Sequence, residues 1–300
     1  MTITKLIIPA AGNGTRLGVH WVAKPMMPFF IEGTILPAIG LIVREAIQAG
    51  ITDICVIVND SNKENIEEYF IREKEKGNYE TVNFTYIIQK EKKGNAHAIN
   101  LAKNFVGDDE NFAVAFPDDL FDSDCLELPL QQLIYQHETT KKCAVGCLRV
   151  ETKDISKYGI AKTNENGDIV DFVEKPQPSE APSNLAGIGR YIVPRQFFNV
   201  MENLPKGAGG EYQIVDAIKE LILQGFNFMA YPYKGVTYLD TGNPYAYAKA
   251  YLIFAMQNLE DAELLLTEAI KTIPSETMIR VLNEVYGKKE SHKSLVRKLP

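Results

Sequence analysis

Apolar runs of strand length alternate with stretches of helical period through the first 120 or so residues, and no other feature narrows the fold as much. The runs are Leu6 to Ala10, Cys55 to Val58, Phe84 to Gln89 and Phe112 to Phe116. Between them lie helical patterns near Ile35 to Ala49, Asn62 to Lys76 and Asn95 to Phe105. Strands that are apolar throughout suit a parallel sheet covered on both faces. From about Cys143 the strands shorten (Cys143 to Val150, Gly159 to Lys162, Ile169 to Val173, Gly187 to Val193) and Gly, Pro and Asn turns separate them. A helix at Glu211 to Leu223, a strand at Gly235 to Leu239 and a largely helical stretch from Pro244 complete the pattern. The prediction is an α/β fold: a Rossmann-like mixed, mainly parallel sheet flanked by helices, with a small β subregion. One main domain is expected over residues 1–257, followed by a helical tail over 258–300.

At 300 residues and 45% hydrophobic content, the chain can bury one large core. A formal charge of -7 argues against a nucleic-acid partner, which needs clustered Lys and Arg. A small anionic ligand needs only one local cationic pocket. No apolar stretch approaches the roughly 20 residues of a spanning helix, so no membrane partner is expected. The start, MTITKLIIPAAG, lacks a signal-peptide core and cleavage pattern. Cys55, Cys125, Cys143 and Cys147 are sparse and mostly flanked by apolar residues, as reduced thiols of a cytoplasmic protein would be. Cys143 and Cys147 have no Cys/His pair at ligand spacing beside them and read as structural.

The turn after the first strand reads Pro9-Ala10-Ala11-Gly12-Asn13-Gly14-Thr15-Arg16-Leu17. Its glycines let backbone N–H groups approach phosphate oxygens, and Arg16 adds charge-assisted donors. A dinucleotide-binding turn would need a third glycine where Leu17 stands, then a helix, yet Gly18 to Pro28 carries two prolines and no helical period. No phosphate-binding loop of the Gly-x-x-x-x-Gly-Lys-Ser/Thr type is present. By itself such a turn could equally be a plain tight turn. Lys24 follows within Ala23-Lys24-Pro25-Met26-Met27-Pro28, and the next element is expected to be a helix beginning after Gly33.

Together these segments resemble the G-x-G-T-R-L…P-K-x-M-L-P signature of the sugar-1-phosphate nucleotidyltransferases. Later segments resemble in particular the bacterial members that act on UTP and glucose 1-phosphate. They are Gln89 with Lys93-Gly94-Asn95-Ala96-His97-Ala98, then Phe116-Pro117-Asp118-Asp119, Lys157-Tyr158-Gly159-Ile160 and Val173-Glu174-Lys175-Pro176. After these come Ser183 to Ala186 with Gly189-Arg190-Tyr191, Gly207 to Gln213 with Asp216-Ala217-Ile218, and Leu239-Asp240-Thr241-Gly242-Asn243. They keep the family's order and cover residues 1 to about 255. The hexapeptide repeats that would mark a member carrying an added acyltransferase domain do not occur in this sequence.

The resemblance implies roles. Residues 1–142 would mainly bind nucleotide and 143–257 mainly sugar. The turn of Ala10, Ala11, Gly12, Gly14 and Thr15, with Gln89 and Gly94, would hold the nucleotide, the Gln89 amide offering donor and acceptor to a base edge. Asp118 and Asp240 would hold Mg²⁺. Glu174 would meet glucose hydroxyls, Lys175 the sugar phosphate, and Gly159 and the backbone around Gly187 would complete the sugar site. Arg16, Lys24, Asp118 and Lys175 form the implied catalytic set. Plainer readings stand beside these: Asp118 or Asp119 as a helix cap, Asp240 as a turn carboxylate, Glu174-Lys175 as a solvated pair, His97 as a packed or capping residue. Glu174 and Lys175 are neighbours on a strand, so local twist or the approach to Pro176 must direct both toward one ligand.

The chain departs from the family at Gly18 to Ala23, a loop about two residues short that bounds the triphosphate pocket and contains Trp21, the only tryptophan. Apolar stripes in the tail (Leu264, Leu265, Ile270; Ile279, Leu282, Val285) need a partner surface, and a homo-oligomer is the expectation. Transfer from dTTP or CTP or to another hexose 1-phosphate, and a non-catalytic paralogue that binds sugar nucleotide, are the alternatives.

Overall fold

The computed structural model describes residues 2–12, 22–108, 110–123, 127–277 and 279–280. In chain order it contains β1 (Lys5–Pro9), β2 (Pro28–Ile31), β3 (Thr34–Pro37), α1 (Ala38–Gln48), β4 (Asp53–Val58), α2 (Lys63–Glu75), β5 (Asn83–Ile88) and α3 (Asn95–Asn100). There follow β6 (Asn111–Ala115), β7 (Asp119–Ser123), α4 (Pro129–Thr140), β8 (Cys143–Arg149), β9 (Gly159–Thr163), β10 (Ile169–Glu174) and β11 (Leu185–Pro194). The chain then forms α5 (Phe197–Val200), α6 (Ile214–Leu223), β12 (Phe228–Pro232), β13 (Val236–Asp240), α7 (Pro244–Ala255) and α8 (Leu259–Thr272).

A nine-stranded sheet in the order β10-β9-β11-β6-β1-β4-β5, with β8 paired to β11 and β12 to β8, runs through both halves of the chain. β6, β1, β4 and β5 are parallel, and β11 joins β6 antiparallel, so the sheet is mixed as the sequence predicts. Alternation along each strand sorts its side chains onto two faces. Leu6, Ile8 and Val56 pack with Ile39, Ile42 and Val43 of α1 on one face. Ile7, Cys55 and Ile57 pack with Ala98, Ile99, Ile218 and Leu221 on the other. Burying both faces explains why these strands read as continuous apolar runs.

Several expectations need correction. The helix expected from Ile35 begins at Ala38, because Thr34–Pro37 pairs with β2 across a two-residue turn at Glu32 and Gly33, both at positive φ (50° and 73°). Such a turn matches strand twist, and its Glu-Gly signal was hidden by the apolar Ile35 and Leu36 that extend the helical period backward. The helix expected to reach Phe105 ends at Asn100. Neither Asp118 nor Asp119 caps a helix; Asp119 opens β7. β2, β7, α4, α5 and β12 were not anticipated. β12 is too mixed in composition to announce itself beside Gly225 and Asn227.

Cys55, Cys143 and Cys147 are buried and unpaired, and burial pushes the Cys143 thiol up to about 12, so it sits as a core side chain. Cys125 lies outside the described residues. No helix among the described residues is long and apolar enough to cross a membrane. α7 packs Tyr247, Tyr251 and Phe254 around buried Phe29, whereas α8 leaves Leu264, Leu265, Leu266 and Ile270 exposed. Of the second stripe, Leu282 and Val285 lie outside the described residues.

Candidate active site

The carboxyl ends of β1, β5 and β6 open onto one cleft of about 560 Å³, the edge at which α/β sheets place ligands. At its floor, Ala10 N–H donates to Ile57 O (2.7 Å), while Asn62 and Asn59 side-chain amides donate to Ala10 O (2.8 Å) and Ala11 O (2.9 Å). These bonds lock the turn after β1, and among the described residues, its chain neighbours aside, none comes within 4 Å of where a Gly12 side chain would begin. Ala10, Ala11 and Gly12 line the cleft. Gly14, Thr15 and Arg16 lie outside the described residues, as do His20 and Trp21 and most of the short loop.

Gln89, just beyond β5, and Gly94, at the start of α3, form a second wall. Gly94 has φ 106°, and a Cβ there would stand 2.3 Å from Tyr212 O, so only glycine fits. The Gly207 to Gln213 segment braces this wall. Tyr212 N donates to Lys93 O (2.8 Å), Ala96 N to Tyr212 O (3.0 Å), and Ile214 N to Asn95 Oδ1 (2.7 Å). Lys92, Asn95, Glu211 and Gly242 also line the cleft and were not singled out. Asn95 and Glu211 stood inside quoted motifs, whereas Lys92 differs in no visible way from the lysines around it.

Lys24, on a short 3-10 turn (Lys24–Met26), meets Asp118 after β6, Nζ to Oδ2 2.7 Å, with only 13% of the lysine side chain exposed. The Thr241 hydroxyl donates to Asp118 O (2.9 Å) and Gly242 N to Asp240 Oδ1 (2.7 Å), which draws the turn after β13 beside Asp118. Asp240 also pairs with Asp119 in the β13–β7 ladder. Fully buried Arg190 frames this corner: Nε and Nη2 reach Glu45 at 3.0 and 2.6 Å, and Nη1 donates to Asp119 O (3.1 Å) and Gly189 O (3.2 Å). Burial and the neighbouring Asp118 push the Asp119 carboxyl up to about 7, opposed by the Tyr238 hydroxyl donating at 2.6 Å. Arg190 stands within a sequence motif that implies no role for it, and nothing local in the sequence marks Glu45, whose partner is 145 residues away.

Glu174, Gly159 and Gly187 fall in one row across adjacent β10, β9 and β11, Gly159 opposite both others. A side chain at Gly159 would stand 2.5 Å from Val215 Cγ2, and one at Gly187 2.7 Å from Phe172 Cζ, so at both positions only glycine leaves room for the core side chains packed against the strands. Glu174 ends β10, and Lys175 has φ 46°, a left-handed conformation rare for a non-glycine residue. That turn answers the strand-neighbour problem, because it brings Lys175 Nζ within 3.2 Å of Glu174 Oε1. Burial raises the Glu174 carboxyl above its ordinary value, and the Lys175 ammonium opposes the rise. None of Gly159, Glu174, Lys175, Gly187 and Asp240 lines the cleft itself.

Asp118 and Asp240 supply the hard oxygen donors that suit Mg²⁺, and the Lys24 ammonium at 2.7 Å shows that Asp118 faces a position where positive charge is held. No cluster of three or more His, Cys, Asp or Glu occurs among the described residues, so a cation here would keep waters or ligand oxygens. His97 is a packed residue, its Nδ1 3.0 Å from Gln89 Nε2.

Residues 5–256 match the family model described as Nucleotidyl transferase. UTP--glucose-1-phosphate uridylyltransferase 1 of Staphylococcus saprophyticus is 37% identical over 296 residues, 91% of this chain and 99% of that protein. A Bacillus subtilis protein named UTP--glucose-1-phosphate uridylyltransferase is 37% identical over 86% of this chain and 93% of its own length. Among solved structures, a UDP-glucose pyrophosphorylase complexed with UDP-glucose superposes with a TM-score of 0.77, at 32% identity, over 85% of this chain and 100% of that one. A UTP-bound enzyme from Acinetobacter baumannii gives 0.74 at 27% identity, over 90% and 100%. Glycine turn, lysine–aspartate corner, sheet topology and kinship agree: this chain belongs to the nucleotidyl transferase family.

Proposed function

We propose that this protein transfers the uridylyl group of UTP to glucose 1-phosphate, giving UDP-glucose and pyrophosphate. One observation carries the reading: Lys24 and Asp118 meet at 2.7 Å in the same cleft as the Ala10–Gly12 turn and Gln89. That cleft joins a base-edge amide, a backbone cradle for phosphates and a cationic corner. The names of the relatives, and the UTP and UDP-glucose titles of the similar structures, support the same substrates.

A sugar phosphate has its second pKa near 6, so its oxygen is a dianionic nucleophile at neutral pH and needs no general base. It attacks the α-phosphorus of UTP in line, and the bond to the β-phosphate oxygen breaks as pyrophosphate leaves. The barrier lies in bringing two polyanions together, and the residues act by position and charge. Lys24 neutralises the α-phosphate, Arg16 the departing β and γ phosphates, and Lys175 the attacking phosphate, while Glu174 with Gly159 and Gly187 receives the glucose. Asp118 and Asp240 would hold Mg²⁺, which supplies further neutralisation of phosphate charge. We place the enzyme in the cytoplasm, where buried unpaired thiols stay reduced, and assign α8 to contact with a second copy of the chain.

Incubating the purified protein with each nucleoside triphosphate, a panel of sugar 1-phosphates and Mg²⁺ tests the reading. Pyrophosphate release is expected to be fastest with UTP and glucose 1-phosphate. A better rate with dTTP or CTP moves the assignment within the family. Binding without pyrophosphate release from any pair establishes the non-catalytic reading, for which the shortened Gly18 to Ala23 loop is the argument.

A further inference from the structure

The amide of Gln89 is held by two partners of different kinds. Its nitrogen lies 3.2 Å from Gly94 O and 3.0 Å from His97 Nδ1. A carbonyl can only accept, so the atom facing Gly94 O must be the amide nitrogen rather than the oxygen. The two hydrogens of that nitrogen then reach Gly94 O and His97 Nδ1, which makes Nδ1 an acceptor and puts the imidazole proton on Nε2. Reversing the amide would set Oε1 against the Gly94 carbonyl, two acceptors face to face. Gly94 is held in place, because Lys93 O accepts from Tyr212 N (2.8 Å) and Ala96 N donates to Tyr212 O (3.0 Å) on either side of it. Burial lowers the His97 imidazole below its ordinary value, with Lys93 adding to the effect and Glu91 opposing it, so the ring that accepts is the neutral one. Gln89 Oε1 takes no donor from any described residue, and Gln89 lines the cleft.

We infer that His97 is a positioning residue that sets which nucleobase the site takes: by accepting from Gln89 Nε2 it turns Gln89 Oε1 toward the base as a fixed acceptor. This inference rests on the uridylyltransferase reading given above. Uracil and thymine carry an N3–H that donates to such an acceptor. Cytosine presents a lone pair at N3 and meets Oε1 as acceptor against acceptor, which leaves both unpaired in a partly dry site. The exclusion of cytosine therefore depends on a side chain that never touches the nucleotide.

The test compares kcat and KM for UTP and CTP, with glucose 1-phosphate saturating, in the wild type, His97→Leu and His97→Asn. Leucine fills similar space and cannot accept; asparagine can place Oδ1 near the Nδ1 position. In His97→Leu the KM for UTP is expected to rise about tenfold with kcat changed less than about twofold, and the preference for UTP over CTP to fall about tenfold. His97→Asn should restore both. A UTP/CTP preference within twofold of wild type in His97→Leu, or an asparagine variant as impaired as the leucine one, overturns the inference. A ¹H–¹⁵N correlation spectrum of the wild-type imidazole reads the tautomer directly and does not depend on turnover or on the variants folding. Protonation of Nε2 alone supports the arrangement, and a proton on Nδ1 refutes it. Wild-type protein that shows the Nε2–H tautomer yet turns over no UTP would instead sink the uridylyltransferase reading.

Discussion

Removing the guanidinium of Arg190 is expected to damage this protein more than any other single change at the lysine–aspartate corner. Arg190 is 1% exposed and makes two hydrogen bonds to the Glu45 carboxylate, at 3.0 and 2.6 Å. Its Nη1 serves the Asp119 and Gly189 carbonyls, with Phe116 O at 3.4 Å, and the guanidinium lies 5.1 Å from the Phe121 ring centre. Arg190→Met leaves Glu45 buried with a single remaining donor among the described residues, Leu130 N at 2.8 Å. Breaking one side of a buried pair costs about 3–5 kcal/mol. That is a large share of the roughly 5–15 kcal/mol that holds a typical domain. At roughly 2–4 °C per kcal/mol for a chain of this size, Tm should fall by about 10 °C. Urea denaturation and a thermal scan measure both quantities. Adding Glu45→Gln to Arg190→Met should recover at least about 1 kcal/mol, because the uncompensated charge is then gone. A single-variant cost below about 1 kcal/mol, or two additive losses, would falsify the claim that this pair holds the corner. Assayed well below its lowered Tm, Arg190→Met should also lose turnover, since the carbonyls it holds flank Asp118.

Asp118→Asn is expected to lower turnover at least about a hundredfold while UTP binding survives, as a metal-holding carboxylate requires; nearly unchanged Mg²⁺-dependent turnover would remove Asp118 from the site. Lys175→Ala should raise KM for glucose 1-phosphate far more than KM for UTP, and equal effects would assign Lys175 to the shared phosphate cluster. The Lys76 ammonium, 2.7 Å away, holds Glu73 below its ordinary 4.5 against the opposing effect of burial, with Asn78 assisting. Its contribution is full above the ordinary value and lost as pH falls through the depressed one. Glu73→Gln should therefore cost about 1 kcal/mol at neutral pH, with the gap to wild type closing in acid; a gap independent of pH contradicts this. Truncation after Gln257 removes α8 with its exposed Leu264, Leu265 and Ile270, and light scattering should show loss of assembly in a folded, nucleotide-binding domain. Wild-type protein that is monomeric at micromolar concentration refutes self-association.

Read alone, the sequence determined the parts whose signals are local. A strand apolar on both faces followed by a glycine turn specifies the β1 end, and Pro117-Asp118 after an apolar run puts a carboxylate at a strand's carboxyl end. The β1, β4 and β6 strands were legible within a residue or two because burial on both faces writes itself into nearly every position. What lay beyond reach depends on pairing across the chain. Ile35 and Leu36 read as helix until their pairing with β2 made them strand, since a β partner is not visible in local period. The row of Glu174, Gly159 and Gly187 exists only through the register of three strands. Lys175 faces the same way as Glu174 because the backbone turns left-handed there, a conformation that no side-chain pattern announces. Glu45 and Arg190, 145 residues apart, are each an ordinary charged residue in the sequence. Only the folded core removes their water and leaves each as the other's partner, and so tertiary structure decided what holds the lysine–aspartate corner together.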